Sequence, residues 1–191
     1  MKAIFLDRDG TINEEVDYLL HKEDIKLIEG TIEALDIFKK LGFLNIIITN
    51  QSAVARGFLT ITELETIHKE LIYLLNKNGN KLVDDIFYSP FHTDGIVPEF
   101  KKQSGDRKPG TGLIEKAREK YNIDLSKSFL IGDSLSDMKC GLNAGLRNIL
   151  VLTGYGQATL RECEEENLNL YHTADNLLDA AIFLKNNLQK E

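Results

Sequence analysis

Two rhythms of apolar residues alternate along the chain. Short, nearly unbroken apolar runs fall at Ala3 to Leu6, Leu44 to Ile48, Asp85 to Tyr88, Phe129 to Ile131 and Asn148 to Leu152. Runs of this length, rich in β-branched residues, predict strands buried on both faces. Between them the apolar positions recur every three to four residues, as on one face of a helix. Ile32, Leu35, Phe38 and Leu41 form one such stripe, stopped by Gly42. Ile61, Leu64, Ile67, Leu71 and Leu74 form a second, opened by Thr60-Ile61-Thr62-Glu63 in the form of a capping box and followed by Gly79. Further helices are predicted through Leu113, Ile114, Ala117 and Tyr121, over Ser136 to Ala144, in the glutamate-rich stretch after Gly154-Tyr155-Gly156, and over Asn176 to Leu188. Tyr171 to Ala174 reads as a short edge strand.

Two stretches have no period. Residues 13 to 29 are mixed and charged around an apolar island of Tyr18, Leu19 and Leu20, and 89 to 108 carry prolines, glycines and scattered charge. Long loops in compact domains tend to be functional. Strands alternating with helices predict an α/β protein, a doubly wound and mostly parallel sheet with helices on both faces. At 191 residues the chain is expected to form one domain over its whole length, with no separate cap.

In such sheets ligands bind beyond the carboxyl ends of the strands. Asp7 and Asp9 end the first strand, Thr49 to Ser52 the second and Asp133 the fourth, so three polar clusters should meet at one rim. Alone, Asp7 and Asp9 read equally as solvated turn formers or as two acids on one strand face, crowded unless a cation lies between them. The convergence favours the second. Asp7, Asp9 and Asp133 are the hard oxygen donors that Mg²⁺ prefers, and Asp137, one turn into the next helix, could be a further ligand or an anchor behind the first. Lys108 is suited to a phosphoryl oxygen and Arg107 to a second phosphate, with Thr49 and Asn50 as hydrogen-bond donors to the same oxygens. His68, beside the stripe of its helix with no second histidine or cysteine at helical spacing, reads as a partly exposed helix residue.

A net charge of −7 argues against a nucleic-acid surface. Cys140 and Cys163 are far apart and read as plain thiols in a reducing compartment. The apolar start is too short, and too soon charged, for a signal peptide, and no run is long enough to span a membrane. A cytoplasmic protein that binds no membrane is expected.

Asp-Arg-Asp-Gly-Thr at 7 to 11, Thr49-Asn50-Gln51-Ser52, Arg107-Lys108-Pro109 and Gly132-Asp133-Ser134-Leu135-Ser136-Asp137 resemble, in order and spacing, the four motifs of haloacid dehalogenase-like phosphatases. More narrowly they are similar to the branch that holds D-glycero-D-manno-heptose 1,7-bisphosphate phosphatases and histidinol-phosphate phosphatases. The resemblance implies a Rossmann-like sheet and a Mg²⁺-dependent phosphomonoesterase. Asp7 would be the nucleophile and Asp9 the acid/base, with Thr49 and Lys108 on the transferring phosphoryl group. Asp7, the backbone carbonyl of Asp9 and Asp133 would hold the metal, with Asp137 behind them. Glu15, Val16, Asp17, Tyr18, Asn50, Gln51, Ser52, Arg56, Arg107 and Ser134 would meet a small phosphorylated sugar. The heptose bisphosphate is the expected substrate, losing its C7 phosphate, with histidinol phosphate as the alternative and a monomer expected.

The chain departs from that branch in one place. Where the branch carries cysteine and histidine zinc ligands, this sequence has Ser89, Phe91, Ser104 and Asp106. No zinc is expected, and the loop should be ordered by packing of Phe91, Ile96, Val97 and Phe100. A phospho-accepting, receiver-like module is the competing class. It would need neither an acid two residues after the acceptor nor the Thr-Asn-Gln-Ser turn.

Overall fold

The computed structural model describes residues 1–76 and 79–188. Six strands, β1 (Lys2–Leu6), β2 (Phe43–Asn50), β3 (Asp85–Ser89), β4 (Phe129–Gly132), β5 (Arg147–Val151) and β6 (His172–Ala174), form one sheet in the order β3-β2-β1-β4-β5-β6. Every pairing is parallel, with Leu6 in register with Ile47 on one side and Ile131 on the other. Six helices connect them: α1 (Thr31–Lys40), α2 (Ile61–Leu75), α3 (Gly112–Tyr121), α4 (Leu135–Asn143), α5 (Gly156–Glu165) and α6 (Leu177–Leu188).

Side chains of a strand alternate between faces, and both faces of this sheet are covered. Ile4 and Leu6 of β1 pack with Ala34, Leu35 and Phe38 of α1 and with Leu177, Ala181 and Leu184 of α6. Ala3 and Phe5 point the other way, into Leu113, Ile114 and Ala117 of α3 and Met138 of α4. The uninterrupted apolar character of β1 follows from having no solvent face. A third cluster of Leu19, Ala53, Val54, Leu59, Leu64 and Ile67 holds the start of α2 under the two long loops.

Two helices sit differently from their sequence stripes. In α1 the buried positions are Thr31, Ala34, Leu35, Ile37 and Phe38, while Ile32 is 37% exposed. Leu35 and Phe38 stay on the inner face as expected, which widens toward Ala34 and Ile37 and takes in Thr31, whose hydroxyl donates to the Ile12 carbonyl. In α2, His68 is buried and Leu75 replaces Leu74 on the inner face, so the expectation of a partly exposed His68 does not hold. The Thr60–Glu63 capping box is formed in full, but the helix ends at Leu75 rather than near Gly79. There the Asn76 side chain accepts from the Leu82 and Val83 amides.

The sheet order places β1 beside β4, with β2 and β3 on one side and β5 and β6 on the other. Connections leave β1 in one direction and β4 in the other, and this reversal opens a crevice at the carboxyl ends of the two strands. No helix among the described residues is long and apolar enough to cross a membrane.

Candidate active site

At the sheet reversal, Asp7 follows the last residue of β1 and its amide donates to the Ile131 carbonyl of β4. Asp133 follows the last residue of β4. The carboxylates of Asp7, Asp133 and Asp137 each offer an oxygen within 4.8 Å of the others. Lys108 enters from the long loop with only 3% exposure, and its Nζ lies 2.7 Å from Asp7 Oδ1 and 2.5 Å from Asp137 Oδ1. It also donates to the Ile48 carbonyl of β2 at 3.0 Å. One buried ammonium therefore meets the partly buried Asp7 and the buried Asp137, with the buried Asp133 close by, an excess of negative charge where water is largely excluded.

Burial, then the charge of Asp137, pushes the Asp7 carboxyl well above its ordinary value, against the opposing pull of Lys108. The same two causes push Asp133 up to about 7. Lys108 is buried too, but Asp137 and Asp7 more than offset that and hold its ammonium above the usual range.

Asp9 is arranged otherwise. The strand ends at Leu6 and the chain turns through Gly10 at φ 75°, so Asp7 and Asp9 do not share a strand face as the sequence suggested. The Asp9 carboxylate is held by Arg8 through Nε at 3.0 Å and Nη2 at 2.7 Å, by Asn13 at 2.9 Å and by Gln51 at 3.0 Å. Burial would raise its pKa, but Arg8 and these hydrogen bonds outweigh it and hold Asp9 below the usual carboxylate range.

Other residues of the motifs turn out to hold the reactive ones. The Asn50 side chain accepts from the Lys108 amide at 2.9 Å and donates to the Lys108 carbonyl at 3.1 Å, fixing that backbone across an X-Pro bond that is cis. Gln51 is 5% exposed and donates to both Asp9 and Thr49, so it faces inward and not the cavity. Ser134 caps α4 and forms a reciprocal box with Asp137. That box leaves Asp137 no exposed surface and aims its other oxygen at Lys108.

A cavity of about 340 Å³ opens above these groups, a volume suited to a small metabolite. Asp7, Asp9, Thr49, Asn50, Lys108 and Asp133 line its floor; Glu15, Asp17, Tyr18, Ser52, Arg107 and Ser134 form its walls. Val16, expected at the substrate, points outward with 42% exposure, because the backbone turns at Asp17 with φ 51°. Burial, then the Asp9 charge, raises Glu15 to about 7. Beside the wall, Arg56 lies 3.5 Å from His92, and Arg107 reaches the Phe91 carbonyl at 3.4 Å. No carboxylate pairs with Arg56 or Arg107 among the described residues. His92 and Arg107 are both pushed down, by burial first and then by neighbouring cations, as expected of a pocket short of an anion.

Sequence reasoning did not single out Tyr155, Ser136, Arg8 or Asn13. Tyr155 lines the cavity and its amide donates to Asp133 Oδ2 at 2.8 Å, while Thr153 donates to the Gly10 carbonyl at 2.5 Å. Both lie beyond β5, where the strand-end rule applied to the other strands would have pointed. The loop of 89 to 108 is ordered in part as expected, the Phe91 and Phe100 rings meeting at 6.1 Å. Ile96 is 76% exposed and lies against Gly57 at the surface. Backbone bonds add to this, the Ile96 and Val97 amides donating to the Ala55 carbonyl.

A wider groove of about 1090 Å³ runs between α1 and residues 79–82. Two lysines on it are already paired, Lys39 with Asp84 and Lys40 with Asp36, and it gathers no comparable cluster of acids.

A parallel sheet with a strand-end nucleophile candidate, a buried lysine and two acids from the stretch after β4 is the arrangement of a haloacid dehalogenase-like hydrolase. A family model described as HAD-hydrolase-like matches residues 106–180. The D-glycero-D-manno-heptose-1,7-bisphosphate 7-phosphatase of Chlorobaculum tepidum is 38% identical over 185 residues, covering 94% of this chain and 92% of its own. The D-glycero-beta-D-manno-heptose-1,7-bisphosphate 7-phosphatase of Escherichia coli K12 is 39% identical over 153 residues, 80% of each chain. The D-glycero-alpha-D-manno-heptose-1,7-bisphosphate 7-phosphatase of Photorhabdus laumondii is 43% identical over 156 residues, 81% of this chain and 85% of that one. In structure, the D,D-heptose 1,7-bisphosphate phosphatase from B. bronchiseptica, complexed with magnesium and phosphate, superposes with a TM-score of 0.85 at 30% identity over 100% of both chains. The chain belongs to the haloacid dehalogenase-like phosphatases, in the branch of the heptose bisphosphate phosphatases.

Proposed function

We propose that this chain removes the C7 phosphate of D-glycero-D-manno-heptose 1,7-bisphosphate with Mg²⁺ bound, acting in the cytoplasm as a single-domain monomer. The observation that carries the reading is the meeting of Asp7, Lys108 and Asp133 at the sheet reversal, beside an unpaired arginine on the cavity wall.

The residues fit a hard divalent cation. Asp133 Oδ1 is buried without a hydrogen-bond partner, although Oδ2 accepts from Tyr155. Asp7 and Asp133, with the Asp9 carbonyl, would hold the ion. Asp137, engaged by Lys108 and Ser134, would stand behind them. Bound there, Mg²⁺ supplies positive charge that offsets repulsion between the Asp7 carboxylate and an anionic phosphate.

The chain's own groups then have distinct tasks. An Asp7 oxygen attacks phosphorus and the bond to the sugar oxygen breaks, leaving an aspartyl-phosphate. Asp9 gives its proton to the departing oxygen, then takes one from the water that attacks phosphorus and frees Asp7 and inorganic phosphate. Arg8 keeps Asp9 ionised in the free protein, so the approach of the phosphate's negative charge is what raises its proton affinity. Lys108 and the Thr49 hydroxyl face the transferring oxygens. Arg107, with Arg56 and His92 behind it, suits the second phosphate by its charge.

Phosphate release is measured with Mg²⁺ on both heptose bisphosphate anomers, fructose 1,6-bisphosphate and histidinol phosphate. The expected result is preference for a heptose bisphosphate and no turnover by Asp7→Asn. Preference for histidinol phosphate would overturn the substrate, and equal release by wild type and Asp7→Asn would overturn the mechanism. The relatives divide between alpha and beta anomers, so the panel also decides which of the two this site takes. Stoichiometric zinc in the purified protein would contradict the zinc-free reading of loop 89 to 108.

A further inference from the structure

Arg8 is 1% exposed and spends two of its three nitrogens on Asp9. The third, Nη1, lies 3.2 Å from Nε2 of His68. A guanidinium only donates, so Nε2 must be the lone-pair nitrogen and the ring proton sits on Nδ1. Burial, then the charge of Arg8, pushes His68 down to about 3, which keeps the ring a neutral acceptor. The ring is wedged between α2 and β3, 5.2 Å from the Tyr88 ring, and Leu64, Ile67 and Leu71 anchor its helix in the core.

We propose that His68 is a positioning residue that, by accepting from Arg8 Nη1, sets the plane of the guanidinium fork and so aims the Asp9 carboxyl at the leaving oxygen. The inference rests on Asp9 being the acid/base. Asn13 and Gln51 also hold Asp9, but among the described residues Arg8 is its one charged partner and grips both oxygens. Without the acceptor a buried N–H is left unsatisfied, a cost the group escapes only by moving. A guanidinium that rotates to recover a partner cannot keep both bonds to Asp9. His68 thus acts at two removes from the substrate.

A general acid matters where the leaving group is poor. An alkoxide from a sugar needs a proton, whereas nitrophenolate departs without one. The value of kcat/KM reports steps up to cleavage of that bond, so the comparison isolates proton donation from the later attack by water. Wild type, His68→Leu and His68→Gln are assayed with Mg²⁺ on D-glycero-D-manno-heptose 1,7-bisphosphate and on 4-nitrophenyl phosphate, with circular dichroism reporting folding. The glutamine carbonyl can accept the same Nη1 proton. His68→Leu is expected to lose on the order of tenfold to a hundredfold in kcat/KM on the sugar phosphate, part of what a general acid contributes, and less than about threefold on the aryl phosphate. His68→Gln should recover to within about threefold of wild type on both substrates.

Equal losses on the two substrates overturn the proposal, as does a folded glutamine variant no better than the leucine one. If His68→Leu fails to fold, His68→Asn, whose shorter amide falls short of Arg8, takes its place in the comparison. Turnover of neither substrate by wild type overturns the phosphatase reading and this inference together; turnover of both with no effect at His68 overturns only the inference.

Discussion

Replacing Lys108 by methionine keeps an apolar stem of similar length and removes the ammonium that pairs with Asp7 and Asp137 beside Asp133. Each of the two contacts, at 2.7 and 2.5 Å, is worth about 6 kcal/mol of gross attraction at an effective dielectric near 20. Much of that is returned when the ammonium no longer has to be desolvated, and breaking such a pair from one side typically costs about 3 to 5 kcal/mol. For a chain of this size, that corresponds to a fall in Tm of roughly 6 to 20 °C. The loss should depend on pH in a definite direction. Lys108 is among the influences that hold Asp7 and Asp133 down, so without it both rise further above their unfolded values. A carboxyl whose folded pKa is raised binds more protons in the folded state, so stability falls as pH climbs from the unfolded value toward the folded one. Thermal melts followed by circular dichroism in EDTA at about pH 5.5 and about pH 8 should therefore show the larger loss at the higher pH. An equal loss at both, or a higher Tm for Lys108→Met at the higher pH, would refute the claim that Lys108 compensates these carboxylates.

Three further outcomes follow from the same geometry. Adding Mg²⁺ to metal-free protein at a hundred times its Kd should stabilise by about 2.7 kcal/mol. The gain per added Mg²⁺ should be greater above pH 7 than at pH 5.5, because Asp133 is raised to about 7 and below that a proton competes with the ion; differential scanning calorimetry checks both. Glu15, also raised to about 7, gains its charge at the cavity wall above that pH and repels an anionic substrate, so KM should rise from pH 7 to 9 and Glu15→Gln should flatten the rise. Gly154 sits at φ +54° with room for no Cβ, which would fall 2.7 Å from the Gly10 Cα and against the Asp133 carboxylate. Gly154→Ala should cost at least about 1 kcal/mol from left-handed strain alone and weaken Mg²⁺ binding, as read by calorimetric titration.

The architecture was legible because its cause is local. A strand covered on both faces has to be apolar throughout, and a helix lying on a sheet has to be apolar on one side, so Ala3 to Leu6 and the stripe of α2 announce themselves within a few residues. The rim was legible for a related reason: polar residues such as Asp7, Thr49 and Asp133, set directly after apolar strands, have nowhere to go but the open end of the sheet. Ile32 shows where the method fails. Its spacing fits the helix, but spacing reports a helix face relative to itself, and packing of Ala34, Leu35, Ile37 and Phe38 against the sheet and α6 leaves Ile32 at the edge.

The alternating sheet, the acids at its rim and the ordered motifs that mark a phosphatase can all be read along the chain. What each polar residue does there depends on how distant segments pack. Asn50 clamps the Lys108 backbone from 58 positions away, Gln51 reaches Asp9 from 42, and His68 meets Arg8 across 60. A buried polar group must find a partner, but the chain carries no local mark of which one. That choice is made only when β1, β2, α2 and the loop of 89 to 108 are brought together.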